Sequence, residues 1–357
     1  MWDDFVTASD DAWLFHLSDW MAIESERAES FAFSVQEGTR LIAVFPLYMS
    51  TRRYGGVIPS RVLHTGRGRA GPAFHPELEV SRRTAIGRDM FSHIDGVARR
   101  HGVDRVEVRL PTLAPNHLPP LRPNDDPLTR YFTPVQLKYG RQWTPATVVD
   151  KIVRLDRCED DLFSDLDRDC RNAVRKAKKN GVAVVEATRR EDMDEYHRLH
   201  IQTLGRSGGH GEPLSSFQTL WDRFGRSGRM AVLFAEEGGR RIGAIILLCF
   251  REAVTYWAGA SDRSFQHLRP NNLLLWEALR WAKQRDFRWF EVGPVFPFGE
   301  PAAKATAIGR FKDQFGGERF GLYEGAKNYR PLRVAALEMA DAAIDAARRF
   351  ARAGSSS

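Results

Sequence analysis

The chain has 357 residues, of which 43% are hydrophobic and 28% are charged. This balance is typical of globular proteins and excludes long disordered segments. The length predicts two domains, because single domains usually contain about 100–200 residues. A formal net charge of +7 leaves two interpretations open: a polyanionic partner, or a general preference for basic surface residues, since net charge governs non-specific attraction.

The cysteines and the apolar runs exclude several protein classes. Cys158, Cys170 and Cys249 show no paired spacing and no accompanying histidine cluster, which predicts no disulfide, no bound metal and a reducing compartment. Residues 1–24 are acidic, unlike a signal peptide. The longest apolar run, Ile242–Phe250, is far shorter than the roughly 20 residues of a membrane helix. These features predict a cytoplasmic protein.

Two segments repeat a hairpin pattern at one constant offset along the chain. Ser34–Met49 and Phe234–Phe250 each contain a strand, a Glu-Gly turn, a basic residue and a longer apolar strand. A glycine in the turn suits a hairpin because it accepts a positive φ. The shared order predicts an internal repeat. The aligned pairs are Glu37 with Glu237, Gly38 with Gly238, Arg40 with Arg240, and Ile42 with Ile242.

A helix–strand pattern then follows in both halves, in Met90–Pro111 and in Leu274–Val295. Apolar residues recur every three or four positions, as on one helix face, before a short buried strand. A helix between two such strands predicts a right-handed crossover and a mixed sheet. The apolar stripes are Met90, Ile94, Val97 and Ala98 in the first half and Leu275, Leu279 and Ala282 in the second.

A proline-rich segment, Leu110–Pro127, excludes a helix or a central strand. We place the domain boundary after it, near residue 150, which gives predicted domains at residues 1–150 and 151–330. The alanine-rich stretch from Pro331 to Ala353 predicts a helix with proline in its first turn. The last residues, up to 357, are predicted to form a flexible tail.

Three blocks of the second half carry a family resemblance. They are a basic helix end (Leu166–Ala187), an aromatic-Gly-Ala-Ser strand end with the helix and strand after it (Tyr256–Val295), and a Phe-Lys-Asp-Gln-Phe-Gly-Gly segment (within Ile308–Phe320). Their order resembles the Fem-type (FemAB/FemX-like) branch of the GNAT acyltransferase superfamily, most clearly over residues 160–325. The long coiled-coil arm that some members carry is missing, so their tRNA contacts are not carried over.

The resemblance implies an α/β fold of two tandem GNAT-like domains. Each would have a mixed, mostly antiparallel sheet flanked by helices, with the active site in the second domain. It also implies transfer of an aminoacyl group from a charged tRNA onto an amine, often that of a peptidoglycan precursor. The protein would then need no cofactor beyond the charged tRNA that donates the acyl group.

The expected acyl-CoA motif is missing from the second half. Enzymes of the superfamily that use acetyl-CoA hold its pyrophosphate on a glycine-rich turn at a helix N-terminus, through backbone N–H groups. The equivalent segment here, His267–Leu274, has no glycine, and Pro270 removes one N–H donor. This favours aminoacyl-tRNA as the donor. Acyl-CoA stays open as the alternative, because divergent CoA sites exist.

Glu291 and Lys312 are the candidate catalytic residues, and the resemblance favours a site role for Lys312. Aminolysis of an acyl ester needs proton removal from the amine and stabilisation of an oxyanion. Glu291 interrupts an apolar strand, where it is either partly desolvated or turned to solvent, and Glu107 in the same register of the first half fits a structural role as well. Lys312 either fixes an anionic group as a point charge or is a surface lysine.

Candidate substrate-binding residues follow on a strand and the next helix. In GNAT folds the oxyanion donors come from a splayed strand, and Tyr256–Ser261 is the candidate here. Tyr256 and Trp257 would shape the acyl pocket, and Ser261 would lie at its end. Asn271 either caps the following helix or holds a ligand.

A basic helix in the first block provides further candidates. Arg168, Arg171 and Arg175 recur at helical spacing. Such a run is usually a solvated face, but the resemblance favours a cradle for the phosphates of tRNA or of a nucleotide-linked substrate.

Three function classes remain. The leading hypothesis is an N-acyltransferase that forms an amide on an amine of a peptidoglycan-type precursor or small metabolite, with charged tRNA and the amine-bearing acceptor as partners. No DNA partner is predicted, and peripheral contact with a lipid-linked precursor is left open. The alternatives are an acyl-CoA-dependent N-acyltransferase, for example one that decorates a polysaccharide, and a non-catalytic tandem GNAT binding protein.

Overall fold

A computed structural model describes residues 1–118, 149–205, 211–295, 303–321 and 324–354. The part of the proline-rich segment beyond Leu118 and the tail beyond Gly354 lie outside the described residues. The helices, in chain order, are α1 Trp2–Ala8, α2 Ser18–Ser25, α3 Val80–Arg100, α4 Glu159–Ser164, α5 Arg168–Lys179, α6 Asp192–Gly205, α7 Leu214–Phe224, α8 Pro270–Lys283, α9 Ala303–Asp313 and α10 Pro331–Gly354. The strands are β1 Glu29–Ser30, β2 Phe33–Glu37, β3 Arg40–Phe45, β4 Tyr48–Tyr54, β5 Ile58–His64, β6 Ala73–Phe74, β7 Arg105–Arg109, β8 Val149–Arg154, β9 Ala183–Glu186, β10 Met230–Glu237, β11 Arg240–Phe250, β12 Ala253–Ser261, β13 Trp289–Val295, β14 Glu318–Gly321 and β15 Glu324–Asn328.

The chain divides into two compact units. The first contains Met1–Thr144 and Leu322–Ser357, and the second contains Pro145–Gly321. The division differs from the predicted domains at the C-terminal side, because β15 pairs antiparallel with β7 and so completes a sheet of the first unit. The alanine-rich helix α10 also belongs to the first unit and not to a separate segment. No helix of the described ranges is long and apolar enough to cross a membrane.

The first unit contains two sheets. One has the strand order β1-β4-β5-β7-β15, and the other has the order β2-β3-β6. The apolar strand that the sequence predicts as continuous ends at Phe45 and resumes at Tyr48 in the other sheet. Pro46 lies at this break and has no N–H to donate to a ladder. Helix α3 joins the parallel neighbours β5 and β7 and buries its predicted stripe, including Met90 and Ile94.

The second unit contains one seven-stranded sheet in the order β14-β8-β13-β12-β11-β10-β9. Its neighbouring strands are antiparallel except β12 and β13, which α8 connects in parallel. Strand β11 is buried from Ile242 to Phe250, which explains its unbroken apolar sequence. The core of this unit also contains the predicted stripe of α8, Leu275, Leu279 and Ala282, together with Cys170 and Ala177 of α5.

The repeat extends to irregularities of the backbone. The β2–β3 hairpin changes register between Val35 and Gln36, and the β10–β11 hairpin does so between Ala235 and Glu236, at the equivalent position. A bulge places one extra residue on one strand and increases the local twist. The predicted fold class is therefore confirmed: each unit is a mixed, mostly antiparallel α/β assembly built on the same hairpin and helix–strand pattern.

Helix α6 starts at a buried carboxylate whose removal should destabilise the second unit. Asp192 is 4% exposed, accepts from the backbone N–H groups of Thr188 and Arg189 at 3.0 and 2.9 Å, and pairs with Arg241 at 2.8 Å. Burial acts to raise the pKa of Asp192, but these hydrogen bonds and the Arg241 charge outweigh it and lower the pKa below its ordinary 3.8. We expect Asp192→Asn to lower the free energy of unfolding by about 1–3 kcal/mol at neutral pH in urea titrations.

The effect of Asp192→Asn on the free energy of unfolding should depend on pH. A depressed pKa in the folded state contributes stability that is complete above the unfolded pKa and is lost as the pH falls through the folded one. The difference between wild type and Asp192→Asn should therefore shrink once the pH falls below the ordinary aspartate range. A difference that persists unchanged into strong acid would contradict it. Glu191→Gln, at an exposed neighbouring carboxylate, is the matched control and should change little.

Candidate active site

The second unit contains an opening between two neighbouring parallel strands. Strands β12 and β13 pair only over Ala253–Thr255 and Trp289–Glu291. Beyond that point β12 continues along β11 to Ser261, and β13 continues along β8 to Val295, without pairing each other. Both strands change register here, and Gly293 has φ +99°, a conformation that favours glycine. Beyond Thr255 and Glu291, the two strands therefore make no ladder hydrogen bonds to each other.

A cavity of about 430 Å³ lies at this opening; we call it the strand-opening cavity. Its walls are mostly apolar, with a few polar groups at fixed positions, the usual composition of a site for a small substrate. Among the residues that the structure describes, its lining contains one lysine and no Asp or Glu. The lining residues are Thr203 of α6, Ala244 and Ile245 of β11, Tyr256, Gly259, Ala260 and Ser261 of β12, Gln266 of the 3-10 turn Arg263–Leu268, Asn271, Leu274 and Leu275 of α8, and Ala307, Ile308, Phe311 and Lys312 of α9.

The amine of Lys312 is held at the separation of the two strands. A Cβ at Gly293 would stand 2.5 Å from Nζ of Lys312, so the amine lies directly against the β13 backbone. The same amine lies 5.4 Å from the ring centroid of Tyr256, within the range of a cation–π contact. Burial raises the pKa of Tyr256 to about 12. Its hydroxyl is therefore protonated at neutral pH and able to donate a hydrogen bond.

The end of β12 is fixed by hydrogen bonds from two helices. Ser261 donates its backbone N–H to Thr203 Oγ1 at 3.0 Å, and Asn271 Nδ2 donates to Ser261 Oγ at 3.3 Å. Asn271 does not cap α8, because the N-cap residue is Arg269 and no side-chain cap is formed. Of the two roles predicted for Asn271, the geometry therefore favours the one at the cavity.

Glu291 lies at the last paired position before the strands separate. It is 7% exposed and does not turn to solvent. Thr255 Oγ1, on the neighbouring strand, donates to Glu291 Oε2 at 2.5 Å. Glu291 is outside the lining of the strand-opening cavity, so it does not form part of the cavity wall. Its equivalent in the first unit, Glu107, pairs with Arg52 and Arg105.

Even a single methyl group at position 259 should impair the site. A Cβ at this position would stand 2.1 Å from the hydroxyl of Tyr256, so Gly259→Ala must displace the tyrosine that contacts Lys312. We expect the variant to lower kcat/KM of the acyl transfer that the sequence predicts by about 10–10²-fold, as misplaced active-site groups do, with the fold retained by circular dichroism. Gly96→Ala, at a helix position with open space, is the control and should leave kcat/KM unchanged; an equal loss there would contradict the argument.

A second cavity, of about 640 Å³, adjoins the first and shares Ala307 and Phe311 with it; we call it the basic cavity. Three cations from separate segments line it, with one carboxylate. Arg269, one of the three, has φ +62°, which is uncommon for a residue with a side chain. The lining residues are Asp169, Asn172, Ala173 and Lys176 of α5, Arg269 and Asn272 at the start of α8, and Ala307, Arg310, Phe311 and Gln314 of α9 and its end.

The predicted basic face of α5 lies elsewhere. Arg171 donates to the backbone oxygens of Ser164 and Leu166, and the guanidinium of Arg175 lies 5.3 Å from the ring centroid of Phe163. Arg168 is exposed. All three arginines lie outside the lining of both cavities. The structure thus brings together Lys312, Tyr256, Ser261 and Asn271 among the predicted site residues.

Trp257 completes the placement of the predicted residues. It occupies the β12 bulge, between the paired residues Tyr256 and Ala258, and it does not line either cavity. Sequence reasoning missed Thr203, Gly259, Lys176, Arg269 and Arg310. Of these, Lys176 could have been identified from the sequence, since it shares helical spacing with Asn172 on a face distinct from that of Arg171.

Comparison with known proteins agrees with this geometry. Residues 164–302 match the family model described as "Acetyltransferase (GNAT) domain". No curated protein matches the sequence. The match covers the β12–α8–β13 unit and the helix α5, and thus most of the lining of both cavities.

Several solved structures share the fold at low identity. FemX has a TM-score of 0.69 and 14% identity, over 94% of this chain and 97% of its own. The C-terminal domain of a candidate lysylphosphatidylglycerol synthetase from Agrobacterium fabrum has a TM-score of 0.56 and 13% identity, over 96% and 95%. A tandem GNAT protein from the clavulanic acid biosynthesis pathway has a TM-score of 0.50 and 14% identity, over 91% and 95%. At these identities the likeness establishes the fold alone.

Proposed function

We propose that this chain, a GNAT-type acyltransferase with the tandem fold of the Fem-type branch, transfers an aminoacyl group from a charged tRNA to an amine. The observation that carries the choice of donor is the start of α8. There Arg269, in the left-handed conformation, is followed by Pro270 as the first helical residue. The turn offers no glycine, and the proline has no N–H, so the glycine-rich turn that holds the pyrophosphate of CoA in other members of the superfamily is not formed here.

The reaction needs little from the protein beyond positioning and charge. The free amine attacks the ester carbonyl carbon, a new C–N bond forms, and the C–O bond to the ribose breaks. The amine loses one proton, and the released ribose oxygen gains one. The amine of Lys312 lies over the ring of Tyr256 at the cavity, and the tyrosine hydroxyl is neutral because burial raises its pKa to about 12. We assign to them the stabilisation of the carbonyl oxygen as it gains negative charge.

We assign Glu291 to the proton transfer that accompanies aminolysis. Its carboxylate is fixed by Thr255 at the base of the strand opening, and its position outside the cavity lining suggests that it acts through a water or a neighbouring group. The apolar walls of the strand-opening cavity fit a small or apolar acyl group. A peptidoglycan-type precursor or a small amine-bearing metabolite is the proposed acceptor, by analogy with the Fem-type branch.

A donor-exchange experiment tests the proposal. Purified protein is incubated with bulk aminoacyl-tRNA or acetyl-CoA and a panel of amine acceptors, and new amides are detected by mass spectrometry. Transfer from aminoacyl-tRNA alone supports the proposal and identifies the amino acid. Transfer from acetyl-CoA alone overturns it in favour of a CoA-dependent N-acyltransferase. Binding of tRNA without any transfer would favour a non-catalytic tandem GNAT protein.

A further inference from the structure

The end of strand β12 is bound by a threonine of α6 on the side where the sheet continues with β13. Strand β12 lies between β11 and β13 in the sheet order. Asp262, just after β12, donates its backbone N–H to the carbonyl oxygen of Ile242 on β11 at 2.9 Å. Successive residues of a strand turn their backbone polar groups to alternate sides, so those of Ser261 point away from β11. The N–H of Ser261 donates to Thr203 Oγ1 at 3.0 Å.

The hydroxyl of Thr203 can accept this bond because its own proton has acceptors close by. Oγ1 lies 2.9 Å from the carbonyl oxygen of Leu199, one helical turn earlier, and 3.2 Å from that of Ser261. A second bond to the strand end comes from α8, where Asn271 Nδ2 donates to Ser261 Oγ at 3.3 Å. Thr203, Ser261 and Asn271 all line the strand-opening cavity. Two helices therefore hold the end of β12 at the cavity wall.

The first unit contains the corresponding parallel pair, β5 and β7, and there the strands stay joined one step further. Their last paired residues are His64 and Glu107, which are equivalent to the last paired residues of β12 and β13. Just beyond them, Arg109 donates its backbone N–H to Thr65 Oγ1 at 3.0 Å, and Thr65 Oγ1 donates to the carbonyl oxygen of Arg109 at 3.4 Å. At the equivalent place in the second unit lies the amine of Lys312.

The two units thus use a threonine hydroxyl in opposite ways. Thr65 joins its strand to the neighbouring strand, whereas Thr203 joins the strand end to a helix. A strand edge with unpaired N–H and C=O groups is a template for pairing with another strand. A bond from α6 takes the Ser261 N–H out of that edge, and so favours the arrangement in which β12 and β13 stay apart.

We propose that Thr203 is a positioning residue of the acyl-transfer site: its hydroxyl holds the end of β12 apart from β13 and so fixes the wall against which the acyl group binds. The inference rests on the proposed function in one respect, that the acyl group occupies the strand-opening cavity. It does not depend on the donor, since aminoacyl-tRNA and acetyl-CoA would deliver the acyl group to the same wall.

Two variants of Thr203 and one control test the proposal. Thr203→Val keeps the shape of the side chain and removes its hydroxyl, and Thr203→Ser restores the hydroxyl. The matched control is Thr84→Val, which removes a hydroxyl that donates to the carbonyl oxygen of Val80, one turn earlier in α3, at 2.8 Å. For each protein we would measure the exchange rate of the Ser261 amide hydrogen by mass spectrometry, and kcat and KM with the donor that wild type uses.

We expect the Ser261 amide hydrogen to exchange at least about tenfold faster in Thr203→Val, because local opening is no longer opposed by this bond. We also expect kcat/KM for the donor to fall by about 10–10²-fold, with a raised KM, because the acyl group is misplaced. Thr203→Ser and Thr84→Val should resemble wild type in both measurements. A merely structural role of Thr203 would reduce the amount of folded enzyme, and hence kcat, at an unchanged KM.

The outcomes separate this proposal from the proposed function. Unchanged exchange at Ser261 would show that Thr203 does not hold the strand end. Faster exchange with unchanged kcat/KM would overturn the positioning role and leave the function intact. If wild type transfers only from acetyl-CoA, the tRNA-dependent function falls, and the same comparison of kcat/KM with acetyl-CoA decides for or against Thr203. Wild type that transfers from neither donor overturns both.

Discussion

Replacing Lys312 with alanine is expected to lower kcat for amide formation by about 10²–10³-fold, the usual effect of removing one group that stabilises an oxyanion. The amine lies against the β13 backbone at Gly293 and over the Tyr256 ring, so no other cation in the lining of the strand-opening cavity can replace it. The effect should fall on kcat more than on KM, because the charge acts on the transition state. Single-turnover assays with saturating acceptor measure it.

Three companion variants make this result specific. Lys312→Arg keeps the charge but places a larger, planar group against Gly293, and should recover only part of the rate. Gly293→Ala places a Cβ 2.5 Å from the Lys312 amine at a φ of +99°, and should resemble Lys312→Ala in rate. Arg226→Ala removes an exposed charge outside the lining of both cavities and should match wild type. A Lys312→Ala enzyme with an unchanged kcat would remove Lys312 from the mechanism.

The fold was predictable where the sequence pattern is local. The two Glu-Gly hairpins and the two helix–strand segments follow from periodicity and turn chemistry, and they form as predicted. The pairing of β15 with β7 was not predicted, since its partners are separated by more than 200 residues and no local pattern records such a contact. The break in the strand at Pro46 could have been predicted, because a proline has no N–H to donate in the middle of a ladder.

The candidate site was predictable only along single segments. Lys312 and the strand Tyr256–Ser261 stand in recognisable motifs, and they lie at one cavity. The cations of the basic cavity stand in three separate segments, and only the packing of α5, α8 and α9 brings them together. Arg171 and Arg175 differ from Lys176 in the direction they face on α5, a distinction of about 100° per residue that depends on which face the sheet buries.

Glu291→Gln is expected to lower kcat by about 10²-fold or more, the range of general acid–base contributions, if the carboxylate takes part in the proton balance of aminolysis. The amide keeps the shape and can still accept the hydrogen bond from Thr255, so the protein should unfold at nearly the wild-type urea concentration. Activity is measured across pH with an acceptor of constant charge. An equal loss of rate and of stability would instead indicate that Glu291 only supports the fold.

Thr255→Val separates the charge of Glu291 from its orientation. The variant keeps the carboxylate and removes the hydroxyl that donates to it at 2.5 Å, which leaves a buried acceptor with one partner fewer. A smaller loss of kcat than in Glu291→Gln would show that the charge matters more than its fixed direction. An equal loss would show that the carboxylate works only in the orientation that Thr255 imposes. In both cases the separation of β12 and β13 just beyond this pair places Glu291 at the base of the opening in which we propose that the acyl group binds.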